Sequence, residues 1–484
     1  MRRRRSSSLL SSCSRLLALV SLASLLLPSV YALATTHRCA ERRSESEGGL
    51  QSGSSGLSQA QVDGIEGLLN RTAVLSWEIG THLEALIEFS YPSLSPFSSS
   101  DEWASPSPST SPLPMQVLET VSYLLVAKPP SPSQLQIVQD GSSADPASIG
   151  PFVVLANWTL ADGGTLASNG TSSVEKAVVE QAVENQLEAL LEQTPRTDDG
   201  AISHRVDQVA LWSDFVYMVP PFLAYTGALN SNATLLQTAY DQCRLYRQYL
   251  LDPAGTGLWR HIVLGSAPDA GLWATGNGWA ANGMLRVAAT LNRSVFAQEF
   301  ESEVADLQSW VNEIVTGAWG KPQTTDGLVH NYLDDATTFG DAAATALLTA
   351  ATFRLAALGS NSNGTSVMPL LVAAETAYQT LTSTNSTSLH VSAEGVLSPV
   401  VDPVSYGEQL EVGGVSPEGE AFVLLMESGR RDWIEAGGDL AGLGVGGSAQ
   451  GGGGGKTSGA RGRERGMALR VVVVLGAVGW GVVG

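Results

Sequence analysis

Cysteine is scarce, with three residues in 484, too few for a disulfide scaffold or a Cys-rich zinc module. Charge is scarce too. Only 15% of the residues are charged, against roughly 25% in an average soluble domain. The positive share is the smaller one: 27 Lys+Arg face 47 Asp+Glu, a formal net charge of −20. That excludes a nucleic-acid binder, whose affinity rests on Lys and Arg neutralising phosphates. No alternating strand series and no G-x-G-x-x-G after a strand occurs, so neither a strand-built fold nor a dinucleotide site is indicated. Metal-ligand spacings such as H-E-x-x-H or an EF-hand loop are also missing, and no metal or other cofactor is expected. What fills the space is 51 Gly, 22 Pro and many Ser and Thr, with 43% hydrophobic residues, enough for a large buried core.

The two ends explain part of this composition. Arg2 to Arg5 precede an apolar run from Leu16 to Leu27, and Ala32 and Ala34 give an A-x-A match. Residues 1–34 therefore read as a cleaved signal peptide, the run being short for a membrane span. Removing them takes away five Arg and no acid, leaving 22 basic against 47 acidic residues. Cys13 leaves as well, and Cys39 and Cys243 remain in an oxidising compartment where one disulfide between them is possible. At the other end, residues 437–466 are a Gly-rich linker with a short basic spacer, and 467–484 are apolar except for Arg470. Small residues, a polar spacer and a hydrophobic tail form the pattern of a glycolipid-anchor signal, hence a possible lipid-held membrane attachment. N-x-S/T sequons at Asn70, Asn157, Asn169, Asn232, Asn292, Asn363 and Asn385 fit a glycosylated protein that is secreted or held at the cell surface.

Between the ends, residues 35–58 are a Ser/Gly-rich linker and 59–436 form one folded domain. Residues 92–114 are Ser/Pro-rich and read as a surface insertion, and 128–147 as another loop. The domain reads as all-α. Apolar residues recur at three- and four-residue spacing in 177–191, 235–250, 296–310, 369–381 and 418–433, giving one buried stripe per helix. Residues 342–358 are apolar nearly all round and predict an inner helix. Helix after helix joined by Gly- and Asn-bearing loops predicts a helical toroid or stacked hairpins.

Three segments carry chemistry. In 207–227, Trp212 and Asp214 enter an apolar 215–223 stretch broken by Pro220-Pro221. An acid in that setting can have a raised pKa; the same Asp also suits a helix N-cap. In 257–279, three tryptophans (Trp259, Trp273, Trp279) stand with His261, Asp269 and Asn277 in a Gly-rich loop leading into a helix. Aromatic faces with isolated polar groups hold sugar rings, although a packed loop with structural Trp has the same composition. In 327–341, His330, Asp334, Asp335 and Asp341 precede the inner helix, and Asp341 reads as its N-cap.

The order D-x-V-x-x-W-S-D-x-x-Y-M-x-x-P-F-L-A, then G-L-W-x-H, then D-x-x-x-W-A-x-G-N-G-W resembles the unsaturated uronyl hydrolases, glycoside hydrolase families 88 and 105. T-T-F-G-D-A-A-A-T-A and S-P-E-G-E-A-F-V-L-L extend the match over roughly residues 175–436. The resemblance implies an (α/α)6 barrel, a six-hairpin toroid with the site at one end, completed by N-terminal helices from about 59 to 127. It also implies an oligosaccharide or polysaccharide substrate. Such enzymes hydrate the C4=C5 vinyl ether of a terminal unsaturated uronic acid: an Asp protonates C4 and helps water attack C5, and the hemiketal opens to release the neighbour. The acid/base maps to Asp269 and the second Asp to Asp214. His261 matches the site histidine, and Trp273 and Trp279 would shape the sugar subsite with Trp212 and Asn277. Thr275 stands where many members have Arg after W-A. Two other readings of the same residues are an (α/α)6 glycosidase on a saturated cell-wall glycan and a non-catalytic carbohydrate-binding protein.

Overall fold

The computed structural model describes residues 56–98, 113–167, 173–359, 367–384 and 389–445. The segments read as signal peptide, most of the 35–58 linker, most of the 92–114 insertion, the region from 446 to 484, Cys39, Asn169, Asn363 and Asn385 lie outside them. Among the described residues, twelve α-helices alternate between two rings. The outer ones are α1 (Gln59–Thr72), α3 (Met115–Ala127), α5 (Lys176–Glu188), α7 (Ala233–Leu250), α9 (Glu301–Trp319) and α11 (Met368–Thr382). The inner ones are α2 (Ser76–Ser90), α4 (Gly150–Thr159), α6 (Phe215–Leu229), α8 (Ala274–Arg293), α10 (Ala342–Ala357) and α12 (Pro417–Glu435). From α4 onward each inner helix packs on the next, α12 returns to α2, and α2 meets the short turn Asp145–Ile149 that leads into α4, closing the ring. This is the (α/α)6 toroid. Two short antiparallel ribbons accompany it: β1 (Thr165–Ala167) with β2 (Ser173–Glu175), and β3 (Ala210–Trp212) with β4 (Ile262–Leu264).

The ring assignment follows from side-chain patterning. Outer α7 starts at Asn232, whose side chain accepts from Thr234 and Leu235, and buries one stripe through Leu235, Leu236, Ala239, Cys243, Tyr246 and Leu250. Cys243 is buried in that stripe with no disulfide partner among the described residues. Inner α10 starts at Asp341, which caps Ala343, and is buried continuously from Ala342 to Leu355. That matches the helix expected to be apolar all round.

One expectation differs. Pro220 and Pro221 do not break α6, which runs on to Leu229 with Phe215–Gly227 buried. An interior Pro costs a helix about 3 kcal/mol, and here burial against α4, α7 and α8 outweighs it. Pro220 cannot bond the carbonyl of Val216, and α8 approaches that carbonyl most closely through Gly283, where any Cβ would collide with it.

A buried ion network ties the inner ring together. Arg286 on α8 donates to Glu88 on α2 from Nε and Nη2, at 3.0 and 2.8 Å, and its Nε lies 3.1 Å from Glu84. Arg354 on α10 donates to Glu88 at 2.8 Å and also pairs with Asp432 on α12. Burial alone would raise the Glu88 pKa, but Arg286 and Arg354 bring it below its ordinary value.

Candidate active site

All six inner helices begin at one end of the toroid, and five of those beginnings carry an acid. Glu78 stands in the first turn of α2 and Asp145 just before α4. Asp214 precedes α6, Asp341 caps α10, and Glu418 lies in the first turn of α12. Burial raises the pKa of all five. Asp341 reaches about 6, and Glu420, one residue pair further along α12, about 8. These groups hold their protons more tightly folded than unfolded. Their contribution to stability is therefore complete at low pH and is lost as the pH rises through the folded values. The melting temperature is expected to fall as the pH climbs from mildly acidic through about 6 to about 8; a melting temperature that rises over that interval contradicts the assignment.

The two sequence-derived acids meet at His261, which is 1% exposed. Its Nδ1 lies 2.9 Å from Asp269 Oδ2, and its Nε2 lies 3.9 Å from Asp214 Oδ1. Its ring is packed between Trp273 and Tyr406, each with its centroid 4.5 Å away, and Trp212 meets it edge-on at 5.8 Å. Its Nε2 is buried with no hydrogen-bond partner among the described residues. Such an atom is costly to leave unpaired, and functional sites are where the cost is tolerated.

Asp214 occupies the N-cap position of α6 but makes no side-chain cap. Its carboxyl instead takes a hydrogen bond from Ser213 Oγ at 3.0 Å and faces His261. With 15% of its side chain exposed, burial raises its pKa against the opposing effects of His261 and Ser213.

Asp269 has the opposite environment. Oδ2 lies against His261 Nδ1 and accepts from the Tyr332 hydroxyl at 2.7 Å, and Oδ1 accepts from Gly271 N–H at 2.9 Å. Burial alone would raise its pKa, but these contacts bring it below its ordinary value. The Tyr332 ring lies over the backbone at Gly271, where any Cβ would collide with it. Tyr332 and Tyr406 are site residues that motif reasoning missed. Tyr332 sits in the His330–Asp341 loop, which attracted attention only for its acids, and Tyr406 follows a loop with no motif at all.

The remaining sequence candidates divide. Trp212 and Trp273 are in the His261 cluster. Trp273 is held by its Nε1 donating to Asn331 at 3.0 Å, and Asn331 in turn donates to the Tyr406 carbonyl at 2.9 Å. Asn277 spends its amide on the loop: it accepts from Trp259 N–H and donates to the Trp259 and Trp273 carbonyls. Trp279 is buried inside the ring, with edge contacts to Tyr217 and Phe422 rather than to His261. Thr275 is fully buried and donates to Asp341 at 3.0 Å. His330 bonds the Thr338 carbonyl.

With that geometry in hand, comparison with known proteins is decisive. Residues 161–406 match the profile of Glycosyl Hydrolase Family 88. The chain belongs to that family. This family 88 glycoside hydrolase also shares its fold with solved structures of low sequence identity. A possible member of family 105 from Salmonella enterica is 16% identical with a TM-score of 0.56, over 77% of this chain and 93% of that one. The Clostridium acetobutylicum family 105 glycoside hydrolase is 14% identical with a TM-score of 0.52, over 77% and 98%. The unsaturated glucuronyl hydrolase from Bacillus sp. GL1, described as responsible for the degradation of glycosaminoglycan, is 13% identical with a TM-score of 0.50, over 75% and 93%. No curated protein matches the chain.

Proposed function

We propose that this family 88 hydrolase removes a terminal unsaturated uronic acid from an oligosaccharide by adding water across its C4=C5 bond. The observation that supports this most is the placing of two carboxyls of opposite proton affinity on either side of one buried imidazole, His261. Vinyl ether hydration needs a proton delivered to C4 and a proton taken from the attacking water, and two carboxyls poised in opposite senses can divide these tasks. Asp214, with its raised pKa, is the donor to C4. Asp269, with its lowered pKa, is the base that takes a proton from the water attacking C5. The hemiketal at C5 then opens to a ketone, and the hemiacetal left at C1 collapses and releases the neighbouring sugar with its oxygen. Asp269 returns its proton to solvent and Asp214 takes one up, so the protons balance. The resemblance gave both transfers to Asp269; the division between two residues follows from the donors around each carboxyl.

The rate falls as the pH drops through the Asp269 pKa, because its base form is lost. It falls again as the pH rises through the Asp214 pKa, because its acid form is lost. A bell-shaped profile is expected. Tyr332→Phe removes one donor to Asp269, so the acid limb is expected to move to higher pH, with the alkaline limb in place. An unmoved acid limb contradicts Asp269 as the base.

The reading extends to location: a secreted enzyme held at the surface by a glycolipid. Segments 1–34 and 437–484 support it, as do the exposed sequons Asn232 and Asn292. Release of the native protein from cells by a phosphatidylinositol-specific phospholipase tests it, and retention after treatment argues against the anchor.

A further inference from the structure

The β3–β4 ribbon carries the site on one edge and a cleft on one face. Trp212 pairs with Ile262 and Ala210 with Leu264. Ile262 also pairs with Asp269 in an isolated antiparallel bridge. Residues paired across strands share a face, so Trp212, Ile262 and Asp269 form one row. A cleft of about 150 Å³ lies over this face, floored by Ala210, Trp212, Ile262 and Leu264 and rimmed by Arg205 and Gln208.

The cleft is built rather than incidental. Leu264 has φ +63° and is 43% exposed, two unfavourable features in one apolar residue. Such strain persists only where the surroundings impose it, and it gathers at ligand clamps. The clamp is visible here: Gly265 follows at φ +70°, where any Cβ would collide with Ala210 and crowd Gln208, and Ser266 N–H donates to Gln208 Oε1 at 2.8 Å. Trp212 is fixed by His204, stacked on it at 4.7 Å with 5° between the planes. At the rim, the Arg205 ion pair with the exposed Asp207 is long, 3.5 Å. The charge of Arg205 also reaches Asp145 at the toroid mouth, where it favours the ionised form.

We propose that this cleft is the subsite for the sugar next to the reacting uronate, and that it selects an acidic sugar through Arg205. The inference rests on the proposed reaction at Asp214 and Asp269 and names the class of substrate: an oligosaccharide with acid groups beyond its terminal residue. An indole face and aliphatic side chains form a floor for a pyranose ring, and the guanidinium matches a carboxylate or sulfate.

Binding tests this without turnover. Isothermal titration of the whole protein uses saturated trigalacturonate and its methyl ester as probes. The native protein is expected to bind the acid at least tenfold more tightly than the ester. Arg205→Glu is expected to abolish that preference. Leu264→Asp, at an exposed position in the floor of the cleft, is expected to weaken binding of the acid at least tenfold. Equal binding of acid and ester by the native protein, no binding of either, or a preference kept in Arg205→Glu overturns the proposal. Loss of the vinyl absorbance in a separate assay reports the reaction itself, so failure of the subsite and failure of the reaction are read apart.

Discussion

Glu88→Ala is expected to destabilise the folded protein by about 3–5 kcal/mol, the range for removing one partner of a buried ion pair. Glu88 accepts from both Arg286 and Arg354, and all three side chains are nearly inaccessible to solvent. Its loss leaves two guanidinium groups short of a counter-charge in the middle of the ring. Glu84, beside Arg286, is the partial remedy. Burial pushes its pKa up to about 8, and loss of the neighbouring carboxylate favours its ionisation. Arg354 keeps Asp432. These compensations place the expected cost nearer 3 than 5 kcal/mol. Urea unfolding of the native and variant proteins measures it, and a difference below about 1 kcal/mol, the range of an exposed pair, contradicts the account.

Asp214→Asn and Asp269→Asn are each expected to lower the rate on an unsaturated uronyl oligosaccharide by about a hundred- to ten-thousand-fold. They are expected to differ in stability. The amide at 214 imitates the protonated acid that burial already favours, so that variant should melt close to the native protein. The amide at 269 replaces a carboxylate held by His261, Tyr332 and Gly271, so one oxygen acceptor becomes a donor facing donors, and the melting temperature should fall. Paired rate and melting measurements check both. An Asp214→Asn enzyme of native rate removes Asp214 as the proton donor, and a rate loss in Asp269→Asn that tracks unfolding alone removes Asp269 as the base.

The toroid was legible because helical periodicity is local. The uniform apolar character of 342–358 marked an inner helix, and single stripes marked outer ones. Asp214, His261 and Asp269 could be named as candidates from the sequence because W-S-D, G-L-W-x-H and D-x-x-x-W-A are local strings. The proton states of the two acids were not. One donor to Asp269 that Asp214 lacks, the Tyr332 hydroxyl, comes from a loop 63 residues downstream, and no local pattern links them. Trp279 was read with its neighbours Trp273 and Asn277, yet a helix turns each successive side chain by about 100°, and only Trp273 faces His261. The ribbon of β3 and β4 was invisible because three-residue strands are too short to show alternation. Pro220-Pro221 misled because propensity is a local prior that the packing of α6 overrides.

The central claim is that water adds across C4=C5 rather than displacing the glycosidic bond directly. Proton NMR of the reaction in deuterium oxide, with a lyase-made unsaturated oligosaccharide, follows both events at once. Hydration predicts that the C4 vinyl proton signal disappears as the neighbouring sugar is released, with deuterium entering at C4. Release of the neighbouring sugar while the vinyl signal persists in the freed uronate, or no change in any unsaturated uronyl substrate, would contradict it.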